Sequence, residues 1–335
     1  MFSFQNWPKR KRLPHNCISR GALYDLLDEA GVRLVDIGAR GGAVRQLAVL
    51  SPFAHYFACE PDPEEAQRLS SLVTDSAPWK AVTVFPEALS SRAGNATLYV
   101  CKQPGLSSLL QPNMDVVRRY YLDDRFDILR TLSVPTITLD EAAERYGFQD
   151  ACFVKLDTQG TELDILHSGQ RLLSDAVLGV YVEVEFQSFY GGQPLFSDVD
   201  AHLRSLGFSL FDLQRTLIRR ASHRNDIHST RQMVWADALY LKEPAEVAGS
   251  DGDSLLLKFS RLLGLALAFD HFDLAFEIAN AAISLPQWRN PWSERVTTEI
   301  EVLARARTRQ ARKMARSKRQ RPKPAKFMYT DRGRI

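Results

Sequence analysis

The sequence contains few cysteines, and their spacing matches no bridge or metal motif. Four occur in 335 residues, at Cys17, Cys59, Cys101 and Cys152, without a Cys-x-x-Cys pair. Scattered, unpaired thiols are typical of proteins in a reducing compartment. We therefore expect a cytoplasmic protein without disulfides and without a cysteine zinc site.

The chain also lacks an apolar run long enough to span a bilayer. The longest candidate, Leu255 to Phe269, contains Lys258 and Arg261, whereas a spanning helix needs about 20 mostly apolar residues. The positive start and apolar core of a signal peptide are missing as well. The sequence therefore predicts no transmembrane segment and no signal peptide.

Several catalytic signatures are absent. There is no P-loop and no Gly-x-Ser-x-Gly elbow, which argues against P-loop nucleotide hydrolases and serine esterases. Four histidines show no metal-ligand spacing with each other or with the acids; they are His167, His202, His223 and His228. We predict no metal site.

Negative charge is nearly absent from the C-terminal segment. Residues 305–335 hold 13 Lys or Arg and one acid, so this basic tail carries +12 and the rest of the chain −9. Such a tail is expected to be disordered. Three interpretations stay open: a solvated extension, contact with nucleic acid, or attraction to an anionic membrane surface. The last would make the protein peripheral at the inner membrane surface.

The clearest positive signal is the stretch from Leu34 to Gly42, LVDIGARGG. An apolar run ends in Asp36 and closely spaced glycines, and Val44, Leu47 and Ala48 follow at helical spacing. Strand, glycine turn and helix form the first unit of a nucleotide-binding α/β sheet. An acid before the first glycine is common where S-adenosylmethionine (SAM) binds, because its amino-acid end needs a charge partner.

A second acid supports this interpretation. His55 to Cys59 predicts a buried strand, followed by Glu60 and Pro61. An acid about 20 residues beyond the glycine turn is where nucleotide-binding folds hold ribose hydroxyls. Carboxylate suits this because it accepts hydrogen bonds and donates none. Alternatively, Glu60 caps the helix that follows it.

The remaining pattern predicts a Rossmann-like α/β fold. Further strands are expected at Ala81–Phe85, Cys152–Leu156 and Val177–Phe186, with an antiparallel pair at Phe208–Leu213 and Met233–Leu241. Residues 94–136 interrupt the alternation. Two interpretations of them are open: a lid that forms an acceptor-binding wall, or a solvated connection.

Short motifs occur in a fixed order over about residues 30–245. They are Val35–Ala39, Glu60–Pro61, Ala88–Ser90, Ser107–Leu109, Phe153–Glu162, and Glu183–Phe196 with Tyr190 and Gly192–Phe196. This ordered set resembles the FkbM-type SAM-dependent methyltransferases. One departure is Arg40-Gly41, where the family often has Asn and an aliphatic residue. We divide the chain into a basic lead-in (1–18), the FkbM-type domain (19–245), a helical extension (246–304) and the basic tail (305–335).

The resemblance implies a seven-stranded SAM-methyltransferase sheet with a small C-terminal helical extension. It also implies SAM as cofactor and O-methyl transfer to a small-molecule or glycan acceptor: a hydroxyl on a sugar, glycan or secondary metabolite. The expected cofactor-binding residues are Asp36, Gly38, Ala39, Gly42, Glu60, Pro61, Glu87 and Ala88.

Asp157 and Glu183 are the candidate catalytic residues. Ligands of an open α/β sheet lie beyond the carboxyl ends of its strands, where both acids are predicted. An alcohol acceptor needs a base, and Asp157 is the first candidate for that role or for orienting the acceptor. Glu183 is second, because a carboxylate in a buried strand is costly without a partner. Structural pairing, with Lys155 or a backbone cap, is the alternative for both.

Two rival functions stay open. The basic tail alone favours a nucleic-acid methyltransferase. Against it, Asp157-Thr158-Gln159-Gly160 differs from the Asn/Asp-Pro-Pro-aromatic segment of adenine-N6 enzymes, and a Pro-Cys nucleophile is absent. A non-catalytic scaffold is the second rival, and Asp36, Gly38 and Glu60 argue against it.

Overall fold

The computed structural model describes residues 18–76, 79–222, 227–249, 252–283 and 292–320. Its central sheet has seven strands, which confirms the predicted Rossmann-like architecture. These strands are β1 (Val32–Ile37), β2 (Ala54–Cys59), β3 (Ala81–Phe85), β7 (Phe153–Leu156), β8 (Gly179–Glu185), β9 (Phe208–Ile218) and β10 (Gln232–Lys242). The numbers β4 to β6 belong to a second sheet.

The strand order of the large sheet is β3-β2-β1-β7-β8-β10-β9. The first five strands in that order are parallel. Strand β10 runs antiparallel to both of its neighbours, as the sequence predicts for the final pair. The chain order reverses between β1 and β7, and ligands of open α/β sheets bind beyond the strand ends at such a point.

The predicted interruption at residues 94–136 forms most of a small second sheet. It consists of β4 (Ala88–Leu89), β6 (Ile128–Ile137) and β5 (Gly94–Cys101), in that order. Two short helices, α3 (Met114–Arg119) and α4 (Asp123–Phe126), connect β5 to β6. The backbone N–H of Asn113 donates to Phe189 O at 2.7 Å, which ties this insertion to the loop after β8.

Helices α2 (Pro63–Ser76), α6 (Glu162–Ser168), α7 (Gln170–Asp175) and α8 (Phe196–Ser205) follow parallel strands of the large sheet, and α5 (Leu139–Tyr146) connects β6 to β7. Thr138 and Glu141 form a capping box at the start of α5, as the Thr-x-x-Glu spacing of the sequence predicts. The helix expected after the glycine turn is instead a 3₁₀ helix, Arg45–Phe53. Pro52 lies inside it, and proline in an α-helix clashes with the carbonyl four residues earlier.

Helix α1 (Ala22–Ala30) and the C-terminal helices share one face of the large sheet. The latter are α9 (Pro244–Ala248), α10 (Gly252–Ala268), α11 (Phe272–Ile283) and α12 (Trp292–Gln320). Leu262 and Ile278 are fully buried in the same apolar cluster as Leu34 and Phe153 of the sheet. The helical extension therefore packs into the main core and is not a separate unit.

Helix α12 extends well into the segment predicted to be a disordered tail. Residues 305–320 continue it, which corrects that prediction for this part, and residues 321–335 lie outside the described ranges. The cause is a specific contact: the buried Arg307 guanidinium donates to both carboxylate oxygens of Asp270. No helix in the described part of the chain is long and apolar enough to cross a bilayer.

Candidate functional site

A pocket lies beyond the carboxyl ends of β1, β2 and β7, where the chain order of the sheet reverses. Loops after these strands form one side, and the insertion with β4 forms the other. The lining residues are Ile37, Gly38, Arg40, Cys59, Glu60, Pro61, Ala88, Leu89, Leu98, Pro104, Gly105, Ser107, Ser108, Leu109, Asp157, Thr158, Gln159 and Thr161. Of the predicted site residues, the pocket brings together Gly38, Glu60, Pro61, Ala88 and Asp157.

Gly38 occupies a position that only glycine fits. Its φ is +75°, and a Cβ at this residue would lie 2.0 Å from Asp157 O. The N–H groups of Gly38 and Ala39 both donate to Cys59 O, at 3.2 and 3.0 Å. The glycine turn is thus fixed to the end of β2 and lies directly against the backbone after β7.

Asp36 lies beneath the turn rather than in the pocket lining. Only 2% of it is exposed, and its carboxylate accepts the Tyr56 hydroxyl at 2.6 Å. Lys155 Nζ lies 3.0 Å from the other carboxylate oxygen and donates to Gly38 O at 2.8 Å. Burial raises the pKa of Asp36, and the charge of Lys155 opposes that rise. Asp36 therefore supports the turn through Lys155, and its predicted contact with the amino-acid end of SAM stays a prediction.

Glu60 faces the pocket from the end of β2 and is 4% exposed. One of its oxygens accepts the N–H of Asp62 at 3.0 Å, so the local capping expected as an alternative is present as well. Burial raises the pKa of Glu60. Arg40 Nη2 lies 3.8 Å from Glu60 and 3.1 Å from Asp62. The residue that departs from the family pattern thus balances this acidic group.

Three other predicted residues, Ala39, Gly42 and Glu87, make structural contacts around the pocket and are not among its lining residues. Ala39 is fully buried in the core, and the N–H of Gly42 donates to Ala39 O at 2.9 Å. The carboxylate of Glu87 is turned toward α5, where it pairs with Arg145 at 2.9 Å and accepts the Tyr146 hydroxyl. Their cofactor-binding role stays a prediction.

Asp157 and Glu183 are joined by one side chain, Gln159. The Gln159 amide nitrogen donates to Asp157 Oδ1 at 2.7 Å and to Glu183 Oε2, and its oxygen accepts the Tyr190 hydroxyl at 3.0 Å. Both amide protons and the amide oxygen are therefore engaged. Lys155 Nζ lies 3.7 Å from Asp157, so the structural pairing considered from the sequence is observed for this acid.

The loop that carries Gln159 is held in an uncommon backbone conformation. Gln159 has φ +63° and Gly160 φ +108°. The buried carboxylate of Glu162 accepts the N–H groups of Thr158 and Gly160, at 2.7 and 2.8 Å. The Ser108 hydroxyl donates to Gln159 O at 2.8 Å, which connects the loop to the insertion.

Negative charge accumulates behind this loop. Burial raises the pKa of Glu183 and of Glu185 well above the ordinary range, and neighbouring carboxylates add to both shifts. Asp237 lies opposite Glu183 on β10, and burial raises its pKa to about 7. This side of the site is therefore rich in carboxyl groups that hold protons more tightly than usual.

Sequence reasoning left four residues without a functional role: Arg40, Gln159, Tyr190 and Asp237. Gln159 and Tyr190 lie inside two of the family motifs, Phe153–Glu162 and Glu183–Phe196. Their place in these motifs is the feature of the sequence that could have indicated a role. Arg40 was noted only as a departure, and the position of Asp237 depends on strand pairing. Within the described ranges, no group of His, Cys, Asp or Glu is arranged to hold a metal ion.

The model of the methyltransferase FkbM domain matches residues 36–210, just over half of the chain. This chain belongs to the FkbM methyltransferase family. It is 28% identical over 187 residues to the 2-O-methyltransferase NoeI of Sinorhizobium fredii, covering 53% of this chain and 74% of NoeI. Both the family and SAM as the expected cofactor agree with the sequence predictions. The pocket fits SAM in having a glycine cradle beside a buried acid.

Two solved methyltransferases are similar in structure. FkbM from Methylobacillus flagellatus KT has a TM-score of 0.37 and 16% identity, over 63% of this chain and 44% of that one. This chain thus spans less than half the length of that protein. The magnesium protoporphyrin IX methyltransferase ChlM from Synechocystis, solved with bound SAM, has a TM-score of 0.34 and 12% identity over 66% of this chain and 76% of ChlM.

Proposed function

We propose that this FkbM methyltransferase O-methylates a hydroxyl of a sugar, glycan or other hydroxylated metabolite. The observation that carries the proposal is the pair of carboxylates, Asp157 and Glu183, joined through Gln159 beside the pocket. An alcohol must lose its proton as it takes the methyl group, so a positioned carboxylate is useful to it. The relative NoeI, named a 2-O-methyltransferase, supports the choice of oxygen over nitrogen.

The cofactor half of the pocket is assigned to Gly38, Glu60, Pro61 and Ala88. SAM supplies a methyl group on a positively charged sulfur. The glycine cradle at Gly38 allows close approach to the backbone, and Glu60 offers a buried carboxylate to the ribose hydroxyls. Asp36, Ala39, Gly42 and Glu87 hold these groups in place from behind.

The acceptor half is assigned to the loop after β7 and the insertion. Asp157 lines the pocket and is the proposed base, whereas Glu183 lies deeper and acts through Gln159. Ser107 offers its hydroxyl proton from the opposite wall, since its oxygen accepts the N–H of Cys101; the Ser108 hydroxyl is already bonded to Gln159 O. A pocket with these polar groups suits a hydroxylated acceptor, because each buried hydroxyl of the acceptor needs a hydrogen-bond partner.

The test is transfer of a tritiated methyl group from SAM to saccharide, lipid and RNA fractions. We expect label in the saccharide fraction that survives alkali, as an ether does and an ester does not. Asp157→Asn should abolish most of this transfer, while Asp164→Asn, an exposed acid on α6, should leave it unchanged. Alkali-labile label, or label confined to RNA, would refute the proposal.

A further inference from the structure

Five arginines lie together at the outer side of the insertion and form what is here called the arginine patch. Arg118 and Arg119 are at the end of α3 and are exposed. Arg219 and Arg220 follow β9, and Arg231 precedes β10. The patch therefore combines the insertion with the loop end of the β9–β10 hairpin.

Hydrogen bonds fix these two elements against each other. The N–H of Ala221 donates to Arg119 O at 2.7 Å. The Tyr120 hydroxyl and Arg220 Nε both donate to Gln232 Oε1, at 3.0 and 3.1 Å. The charges of Arg220 and Arg119 also act on the hydroxyl of Tyr120, opposing the rise in its pKa that burial causes. The guanidinium groups of both elements thus meet at one place.

The positive charge of the patch is not balanced by the described part of the protein. None of the five arginines forms an ion pair there with a carboxylate, and Asp115, one turn earlier on α3, pairs with neither Arg118 nor Arg119. Arg219 Nε is buried and has no hydrogen-bond partner among the described residues. Arg219 and Arg231 each lie one residue beyond the last ladder pair, Ile218 and Gln232, on the side of the loop. Like charges at such positions destabilise a hairpin.

The patch contains arginine and no lysine. A guanidinium is a planar fork that binds a carboxylate or phosphate through two parallel hydrogen bonds, whereas an ammonium acts as a point charge. Five forks in one place therefore favour a specific oxyanion over diffuse attraction to a charged surface.

The patch and the pocket are two sides of one small aromatic cluster. Tyr190, whose hydroxyl donates to Gln159, has its ring 5.7 Å from Phe126. Phe126 lies 5.9 Å from Phe189, which lies 5.6 Å from Tyr120 at the patch. These four rings are buried and separate the two places, so a ligand that contacts both has to extend around the cluster, which requires more than one sugar unit.

We infer that the arginine patch binds an oxyanion, a phosphate or a carboxylate, on an extended saccharide whose hydroxyl enters the pocket. The inference rests on the proposed function and narrows its acceptor class to anionic oligosaccharides. Arg119 and Arg220 are assigned as the central binding residues. Arg118, Arg219 and Arg231 complete the positive rim.

The test is calorimetric titration of the full chain with two anionic probes, inorganic pyrophosphate and trigalacturonate, against neutral maltotriose. We expect both anions or one of them to bind more tightly than maltotriose. Arg119→Gln with Arg220→Gln should weaken anion binding about tenfold or more, because two charged, forked donors are lost. Arg92→Gln with Arg171→Gln removes the same charge from exposed sites elsewhere and should change nothing. SAM affinity and thermal unfolding serve as fold checks.

The lysine variants decide between specific and diffuse binding. Arg119→Lys with Arg220→Lys keeps the charge and loses the fork, so most of the affinity should still be lost. Full affinity in that variant, or binding of phosphatidylglycerol vesicles or RNA that lysine restores, would overturn the inference. So would equal anion binding by the glutamine variant and the unmodified chain.

The binding assay involves no methyl transfer, so its result is separate from the proposed function. If the tritium assay labels saccharides but the arginine substitutions leave anion affinity unchanged, only the inference about the patch fails. If the arginines bind anions and no saccharide accepts a methyl group, the assignment of the patch to the acceptor fails together with the proposed function.

Discussion

Glu60 illustrates how a single buried acid can face a ligand and still be supported. One oxygen accepts the Asp62 N–H, while Arg40 balances the charge from 3.8 Å away. The carboxylate is thereby held toward the pocket before any ligand arrives. Pre-oriented acceptors of this kind lose little freedom on binding.

We predict that Glu60→Ala weakens SAM binding by about 1.5–3 kcal/mol, the usual loss for a charged hydrogen bond. Calorimetry with SAM measures this, and Glu64→Ala, at an exposed acid four residues on, should bind normally. Affinity for SAM should also fall as the pH is lowered through the raised pKa of Glu60, because the protonated group accepts fewer hydrogen bonds. Unchanged affinity in Glu60→Ala would disprove the ribose assignment.

Asp157 is predicted to matter for turnover more than for SAM affinity. Asp157→Asn keeps the acceptor oxygen for Gln159 and removes the base, so kcat should fall by about 10²–10⁴-fold, as for other general bases. SAM affinity measured by calorimetry should change by less than about threefold, because Asp157 is assigned to the acceptor half of the pocket. A tenfold loss would correspond to about 1.4 kcal/mol of binding free energy. A normal rate with weakened SAM binding would make Asp157 a cofactor residue instead.

Asp237 gives a pH-dependent prediction. Its pKa is raised from 3.8 to about 7 in the folded state. The folded state therefore holds the proton more tightly, and its stability falls as the pH rises from about 4 to about 7. Asp237→Asn should then add roughly 2 kcal/mol more to the free energy of unfolding at pH 8 than at pH 4. Urea unfolding at both pH values measures this, and an equal effect at both would contradict it.

At the scale of elements, local patterns predicted the sheet because each strand and turn is encoded within a few residues. The apolar run before Gly38, the acid at Glu60 and the capping box at Thr138 all have the expected surroundings. What the sequence could not supply was contact between distant segments. Gln159 receives its role from Glu183 and Tyr190, and Arg40 receives its role from Asp62.

The length of α12 is a second feature that depends on contact between distant segments and could not be predicted from the sequence. Its basic composition predicted disorder, whereas the ion pair between Arg307 and Asp270 fixes its middle turns to the loop after α10. One well-placed arginine therefore outweighs the average charge of the segment. Pairing across 37 residues is not visible in composition.

We predict that Arg307→Ala lowers the free energy of unfolding by about 1–3 kcal/mol, because it leaves Asp270 partly buried without its partner. Arg305→Ala, two residues earlier and 76% exposed in its side chain, should cost at most about 1 kcal/mol. Denaturant unfolding of both variants measures the difference. Equal costs would show that the buried pair does not anchor the helix.

At the scale of the whole molecule, the acidic body and the basic tail remain distinct in charge. The structured part, however, extends beyond residue 305, because α12 continues to Gln320. A cut after Leu303, just before the basic tail (305–335), would remove Arg307. A cut after Arg312 keeps that contact and still removes nine of the 13 bases. It is the appropriate truncation for asking what the basic tail does.

We predict that truncation after Arg312 leaves SAM binding and turnover on a small soluble acceptor unchanged. Charge acts over about 8 Å at physiological salt, and none of the described residues beyond Arg312 lines the pocket. Any association with anionic vesicles or RNA should decrease with the cut and weaken with salt. A truncated protein that binds SAM but cannot methylate the small acceptor would place the tail in the active site.

The cap of the first described helix has a consequence for biosynthesis. The free N–H groups of Ala22 and Leu23 are accepted by the carboxylate of Glu299, at 3.0 Å each. A ribosome adds about 5–20 residues per second, so Glu299 is synthesised on the order of 15–60 s after α1. Until then the N-terminus of α1 lacks its cap. During that interval the growing chain has its glycine turn and most of its strands but not the helices that cover one face. We therefore expect this face of the sheet to stay exposed, and prone to association, until the C-terminal helices have been synthesised.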